Sequence, residues 1–196
     1  YTGLGVNVGV LDTGVWSEHP DLAGAVVSGP ADPDGHGTAV CGVIASRGDV
    51  DLGCDFNGSG GAPAANLFVI QRPSSMTPSE FASFYTQFMS DDCFIVNNSW
   101  GFDGSTSYDG FCQIIDSHAR NGGLSVFSSG NNPAPGAIPS PAIARNAITV
   151  GAVTFVPDGN SNLVLASYSG RGPTADGRLK PEILAPGGEF FGPTMQ

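Results

Sequence analysis

The sequence predicts an α/β fold in three layers, a largely parallel sheet between helices. Three observations carry this. Short apolar runs with strand character recur along the chain, helical patterns fall between them, and chemically capable residues stand just past the ends of the runs. Strands that alternate with helices pair in parallel, and the helices then cover both faces of the sheet.

Residues 6–11, VNVGVL, read as a buried strand that delivers Asp12 at its carboxyl end. Residues 38–46, TAVCGVIAS, read as a helix of small apolar residues starting beside His36. LFVI at 67–70 is the next apolar run. Thr77 then reads as an N-cap, with Pro78 at the first helical position and Glu80 completing a capping box. Phe81, Phe84, Tyr85 and Phe88 follow at i, i+3, i+4 and i+7, one apolar helix face. FIVNNS at 94–99 is a strand. A helix runs from about Tyr108 to Arg120 and stops at Asn121-Gly122-Gly123. LSVFSS at 124–129 and AITVGAV at 147–153 complete the strands. Ligand and reaction sites in such sheets lie beyond the carboxyl ends of strands, where Asp12, Asn98-Ser99 and Gly130-Asn131 fall.

The 196 residues read as one domain, 1–196, with no linker or repeat. Tyr1 stands only a few residues before a core strand, so the expectation is an excised piece, incomplete at both ends. Seven Lys+Arg against 18 Asp+Glu give a net charge of −11, which argues against nucleic acid and anionic membrane as partners. Charged residues are only 13% of the chain, leaving a surface of Ser, Asn, Gly and Thr that is common in secreted enzymes. No segment reaches the roughly 20 apolar residues of a membrane span, so no membrane insertion is expected, and none of the residues read as a signal peptide. Four cysteines fit a secreted protein with two disulfides, for which neighbour pairing, Cys41 with Cys54 and Cys93 with Cys112, is our expectation. Four buried thiols are the other reading. No C-x-x-C pair marks a zinc site.

Asp12 lies in an Asp-Thr-Gly triplet, which serves two different protease chemistries. One shares a proton between two aspartates, each in such a triplet. Here the triplet occurs once, and the other Asp-Gly pairs, at Asp34, Asp103, Asp109, Asp158 and Asp176, lack the intervening Thr or Ser. That class is all-β, which the helical periodicity opposes. The other chemistry pairs Asp with His. DGHGT sets His36 between two glycines at a helix start, 24 residues after Asp12. Glycines leave room for a substrate, a helix start fixes the ring, and a carboxylate on the far nitrogen selects the tautomer. A lone His in a Gly-rich loop is otherwise an exposed loop residue, the reading we give His19 and His118.

Five blocks in order, GVNVGVLDTGVWSEHPDL, DPDGHGTAVCGVIAS, VNNSWG, VFSSGNN and SYSGRGPTADGRLKPEILAPG, make the chain resemble the subtilisin-like serine proteases from about residue 3 to 188. The resemblance implies a subtilisin-like fold and a serine endopeptidase acting on polypeptides, with no cofactor needed for the chemistry. Asp12 matches the triad aspartate and His36 the general base. Asn131 matches the oxyanion-stabilising asparagine; on its own residues it is a turn former. Ser99, Trp100 and Gly101 match the segment that pairs with the substrate backbone; read alone they are a strand end with a packed Trp. Asp21 matches a position that binds structural calcium in some members, but a surface turn aspartate is an equal reading, so no metal ligand is assigned.

One block is absent. The family's nucleophile stands in a Gly-Thr-Ser-Met-Ala-like stretch, and residues 189–196 read EFFGPTMQ instead. The leading expectation is a chain that stops just before the serine, which a complementary fragment could carry. A second reading makes GPTM, residues 192–195, a degenerate serine block with Thr194 at the nucleophile position, and hence a non-cleaving peptide binder. A third uses Ser169 or Ser17, neither in a context that would activate it.

Overall fold

The computed structural model describes residues 1–48, 58–155 and 163–188, and its elements divide between two units, one built on Tyr1–Ser99 and one on Trp100–Phe190. The first holds β1 (Asn7–Asp12), a 3-10 turn (Pro20–Leu22), β2 (Val26–Ser28), α1 (His36–Ala45), β3 (Asn66–Gln71), α2 (Pro78–Ser90) and β4 (Ile95–Asn98). Its strands lie in the order β2-β3-β1-β4, each pairing parallel. The β1–β3 register runs from Asn7 opposite Asn66 to Asp12 opposite Gln71.

β1 is apolar on both faces because both are covered. Val8 and Val10 join Leu22, Cys41, Ala45, Leu67 and Val69 in one buried cluster. On the opposite face, a Cβ at Gly9 would stand 2.7 Å from the Phe88 ring, so only glycine lets α2 come this close. α2 forms as its sequence predicts. The Thr77 hydroxyl accepts from Glu80 N at 3.3 Å and the Glu80 carboxylate accepts from Thr77 N at 2.7 Å. Phe81, Tyr85 and Phe88 are buried and Phe84 is half-buried. The Tyr85 hydroxyl also accepts from Asn98 Nδ2 at 2.9 Å, which ties the end of β4 to the helix. α1 begins two residues before the predicted start, at His36 itself. β2 is too short to leave a periodic signal.

The second unit holds α3 (Gly110–Arg120), β5 (Leu124–Ser128), β6 (Ala147–Phe155), β7 (Leu163–Leu165) and β8 (Ile183–Pro186). β5 and β8 pair with β6 in parallel and β7 pairs with it antiparallel. Nine residues of β6 are long enough to take all three partners along its length. The sequence reading finds neither β7 nor β8. α3 starts at Gly110 rather than Tyr108 because the Asp109 carboxylate caps it, accepting from Phe111 N at 3.0 Å and Cys112 N at 3.1 Å. It ends as predicted. Gly122 takes φ +85°, and Gly123 N reaches back to the His118 carbonyl at 3.0 Å.

The cysteines correct the expected pairing. Cys41, Cys93 and Cys112 are free, buried thiols, and Cys54 lies outside the described residues. Cys41 packs in the apolar cluster around β1, while the Cys93 thiol donates to the Asp91 carbonyl at 3.6 Å and Cys112 Sγ lies 3.6 Å from Ser140 Oγ. Burial, helped by nearby aspartates, pushes the Cys41 and Cys93 thiols up to about 12, so neither is a nucleophile near neutral pH.

Candidate active site

Asp12 ends β1 with its carboxylate buried, and His36 opens α1 with half its side chain in solvent. His36 Nδ1 lies 2.6 Å from Asp12 Oδ1. The same oxygen accepts from Thr13 N at 2.8 Å. Two glycines permit this meeting of strand end and helix start. Gly14 takes φ +125°, and a Cβ there would stand 2.6 Å from the Ala31 carbonyl oxygen. A Cβ on Gly37 would strike the Gly14 carbonyl oxygen. The triplet Asp-Thr-Gly and the run Gly-His-Gly therefore describe one close backbone approach from its two sides.

Asp32, which the sequence reading does not single out, lies beneath this junction and is 6% exposed. It accepts from the Thr13 hydroxyl at 2.9 Å and Asp34 N at 3.1 Å through Oδ1, and from Thr38 N at 2.8 Å and the Thr38 hydroxyl at 2.7 Å through Oδ2. A legible signal exists: an acidic residue shortly before a helix whose own N-cap, Gly35, has no side chain to offer.

The electrostatics suit a base. The hydrogen bond to Asp12 raises the His36 pKa; burial opposes it, and the charges of Asp12, Asp34 and Asp32 add to it. Burial works against ionised Asp32, but its hydrogen bonds from Thr38, Gly35 and Thr13 prevail and hold it at about 2. A carboxylate can only accept, so Nδ1 carries the proton. Nε2 is then the nitrogen left to take one.

Asn131 belongs to the second unit. It is exposed and follows Gly130, φ +81°, just past β5. Ser129 N donates to the Val150 carbonyl at 2.9 Å and Gly170 N to the Gly130 carbonyl at 2.9 Å, which fixes the turn before it. Ser99 closes the first unit, its hydroxyl accepting from Asn97 Nδ2 at 3.0 Å. Trp100 and Gly101 open the second. The Trp100 ring is buried edge-on to Phe102 and Phe127, at 5.4 and 6.0 Å between centroids. A Cβ at Gly101 would stand 2.5 Å from Pro139, and Phe102 N bonds the Ser140 carbonyl at 2.9 Å.

The other candidates sort clearly. Ser169 is buried, and its hydroxyl accepts from Ala152 N at 2.9 Å, so it braces β6. Ser17 lies in an exposed turn, and Thr194 lies outside the described residues. His19 Nδ1 accepts from Asp21 N at 3.2 Å. His118 is not an exposed loop residue: its ring is 5% exposed, packed on Gly123 with Nδ1 3.0 Å from Ser125 Oγ, and burial lowers its pKa. Asp21 is buried in the 3-10 turn rather than displayed on the surface. Its carbonyl accepts from Arg47 N at 2.8 Å, and the Arg47 guanidinium donates to the carbonyls of Gly24 and Pro63. Among the described residues no group of three or more His, Cys, Asp or Glu side chains is placed to hold a metal.

Comparison with known proteins identifies the family and the fold. The sequence model described as Subtilase family matches residues 3–195. Serine protease AprX of Bacillus subtilis (strain 168) is 34% identical over 95% of the chain, and thermitase of Thermoactinomyces vulgaris 31% identical over 96%. The chain spans 47% of the length of the former and 65% of the latter. Among solved structures, sphericase superposes with a TM-score of 0.78 at 26% identity, covering 98% of this chain and 69% of that one.

Proposed function

The chain belongs to the subtilase family, and from that premise we propose that residues 1–196 carry the acid–base half of a serine endopeptidase that hydrolyses polypeptides through an acyl-enzyme. The observation that carries the reading is the 2.6 Å contact between His36 Nδ1 and buried Asp12. In this reading His36 Nε2 removes the proton of an attacking serine hydroxyl. The acyl-enzyme forms as the leaving amine takes that proton back, and water repeats the cycle. Asp12 holds the ring in the Nδ1–H tautomer and stabilises the imidazolium. Asn131 stabilises the oxyanion, a donor worth about 10²–10³ in turnover. Ser99, Trp100 and Gly101 present main chain to an extended substrate.

The serine is one that residues 1–196 do not supply in the family's sequence block, so this reading places it beyond them, on a continuation of the chain or on a complementary fragment. The low-charge, Ser- and Asn-rich composition favours a site of action outside the cytoplasm, to which the free thiols add no support. No helix among the described residues is long and apolar enough to cross a membrane.

A quenched fluorescent peptide, assayed with the full-length parent protein, tests the reading. Hydrolysis should appear and should vanish in His36→Ala. A serine-directed phosphonate should label the parent but no residue within 1–196; labelling there, or hydrolysis that survives His36→Ala, overturns the proposal.

A further inference from the structure

We propose that Asp32 is a positioning residue for the Asp12–His36 couple, fastening the strand end that holds Asp12 to the helix start that holds His36. The inference rests on reading that couple as the acid–base pair. Donors converge on both oxygens of the Asp32 carboxylate, and they come from both sides of the junction. Thr13 follows Asp12 directly, and Thr38 stands two residues after His36.

The polarity of one hydroxyl makes Asp32 more than a brace. Thr13 Oγ1 lies 2.9 Å from Asp32 Oδ1, 3.4 Å from Asp12 Oδ1 and 2.8 Å from Gly37 N. It has one proton. Gly37 N can only donate to it, so the proton goes to a carboxylate. Ionised Asp32 takes it at the shorter distance. Asp12 Oδ1 is thereby left with Thr13 N and the His36 ring. Without Asp32 the Thr13 hydroxyl would turn to Asp12 and compete with His36 for the same oxygen. Asp32 also accepts from Thr38 N, the bond a helix N-cap side chain would normally accept, at a helix whose N-cap is Gly35. One buried carboxylate therefore fixes the height of the His36 turn and the hydrogen-bond partners of Asp12.

The test reads the His36 Nδ1 proton by NMR in protein labelled with ¹⁵N-histidine, independently of any serine. Wild type should show a low-field resonance that Asp12→Ala abolishes. Asp32→Asn should move it upfield and broaden it, because Asn cannot accept on both sides. Thr13→Val should also move it upfield and broaden it without changing any charge, because it cuts the hydroxyl's links to Asp32 and Gly37 N that fasten the junction, and Thr13→Ser should restore it. Asp34→Asn, which removes a nearby charge but keeps the oxygen that accepts from His36 N, should leave it in place. If Asp32→Asn fails to fold by circular dichroism, Thr13→Val and its serine rescue decide. A resonance unmoved in folded Asp32→Asn or Thr13→Val overturns the positioning role. A wild-type protein without the resonance overturns the Asp12–His36 couple itself, a separate failure.

Discussion

Two carboxylate–base pairs in this molecule have nearly the same length and opposite burial. His36 and Asp12 meet at 2.6 Å, with the His side chain 50% exposed and the Asp side chain 2%. Lys180 and Glu182 meet at 2.7 Å in the second unit, with the Lys side chain 1% exposed and the Glu side chain 36%. The Lys180 ammonium is also bonded to the Ala147 carbonyl at 2.9 Å and Thr149 Oγ1 at 3.0 Å, while Glu182 accepts from Thr149 N at 2.7 Å. All its protons are engaged, and the pair fastens the segment before β8 onto β6. In the first pair the fixed partner is inside and the titrating ring faces out. Distance alone does not tell the two pairs apart; which partner reaches solvent does.

Breaking the first pair should cost activity above all. In the parent protein, His36→Ala should lower kcat by about 10⁶-fold and Asp12→Ala by about 10⁴-fold, the sizes such removals have in subtilisin, a relative. Equal, small losses in both would mean that the pair is a structural fastening too. Breaking the second should cost stability. Lys180→Met leaves buried acceptors unpaired and should lower unfolding free energy by about 3 kcal/mol, the low end for a broken buried pair because Glu182 reaches solvent. Denaturant titration measures it, and the His36 Nδ1 resonance should not move. A change far from both pairs gives the scale of a purely local effect: Thr77→Ala should cost about 1 kcal/mol through its lost cap, by the same titration.

Proton linkage sharpens the contrast at the smallest scale. The His36 pKa lies above that of a free imidazole, about 6.5. Its pairing therefore stabilises the fold fully below about pH 6.5, and that contribution fades as pH rises through the folded value. Activity runs the other way, since the base must be neutral. The acid limb of kcat/KM should fall above the free-imidazole value and move down in Asp12→Asn. His118 is the opposite case. Burial lowers its pKa, so its contribution is full above about pH 6.5 and fades as pH falls through the folded value. The melting temperature, followed from neutral to about pH 5, should fall less steeply in His118→Gln than in wild type. An identical slope would mean that His118 titrates alike in the folded and unfolded chain.

The elements most legible in sequence were those set by near neighbours. The Thr77–Glu80 box and the Phe81, Phe84, Tyr85, Phe88 face of α2 span a few positions, and both formed, with Phe84 only half-buried at the edge of the face. The start of α1 was misplaced because its anchor is not in the next turn: Asp32 stands outside the helix and bonds Thr13, 19 residues back. His118 reads as one polar residue near a helix end, and only the close approach of Gly123 and Ser125 shows that it is buried. β7 and β8 are short and mostly exposed, so neither carries a buried-and-exposed alternation for the sequence to report.

By itself the sequence determined the α/β class, the order of five of its strands and of its three helices, and the pairing of Asp12 with His36. Periodicity, caps and ordered blocks are written in neighbouring residue types, and the glycines around both residues mark where backbones must touch. Tertiary structure alone decided that the thiols of Cys41, Cys93 and Cys112 stay free, that Lys180 is sealed while His36 is open, and that Asp32 joins strand end to helix start. Those outcomes depend on which distant groups reach the same few ångströms, and on how much water is left there. Burial and hydrogen-bond partners across 19 to 33 residues of chain are properties of the folded chain rather than of any stretch of its sequence.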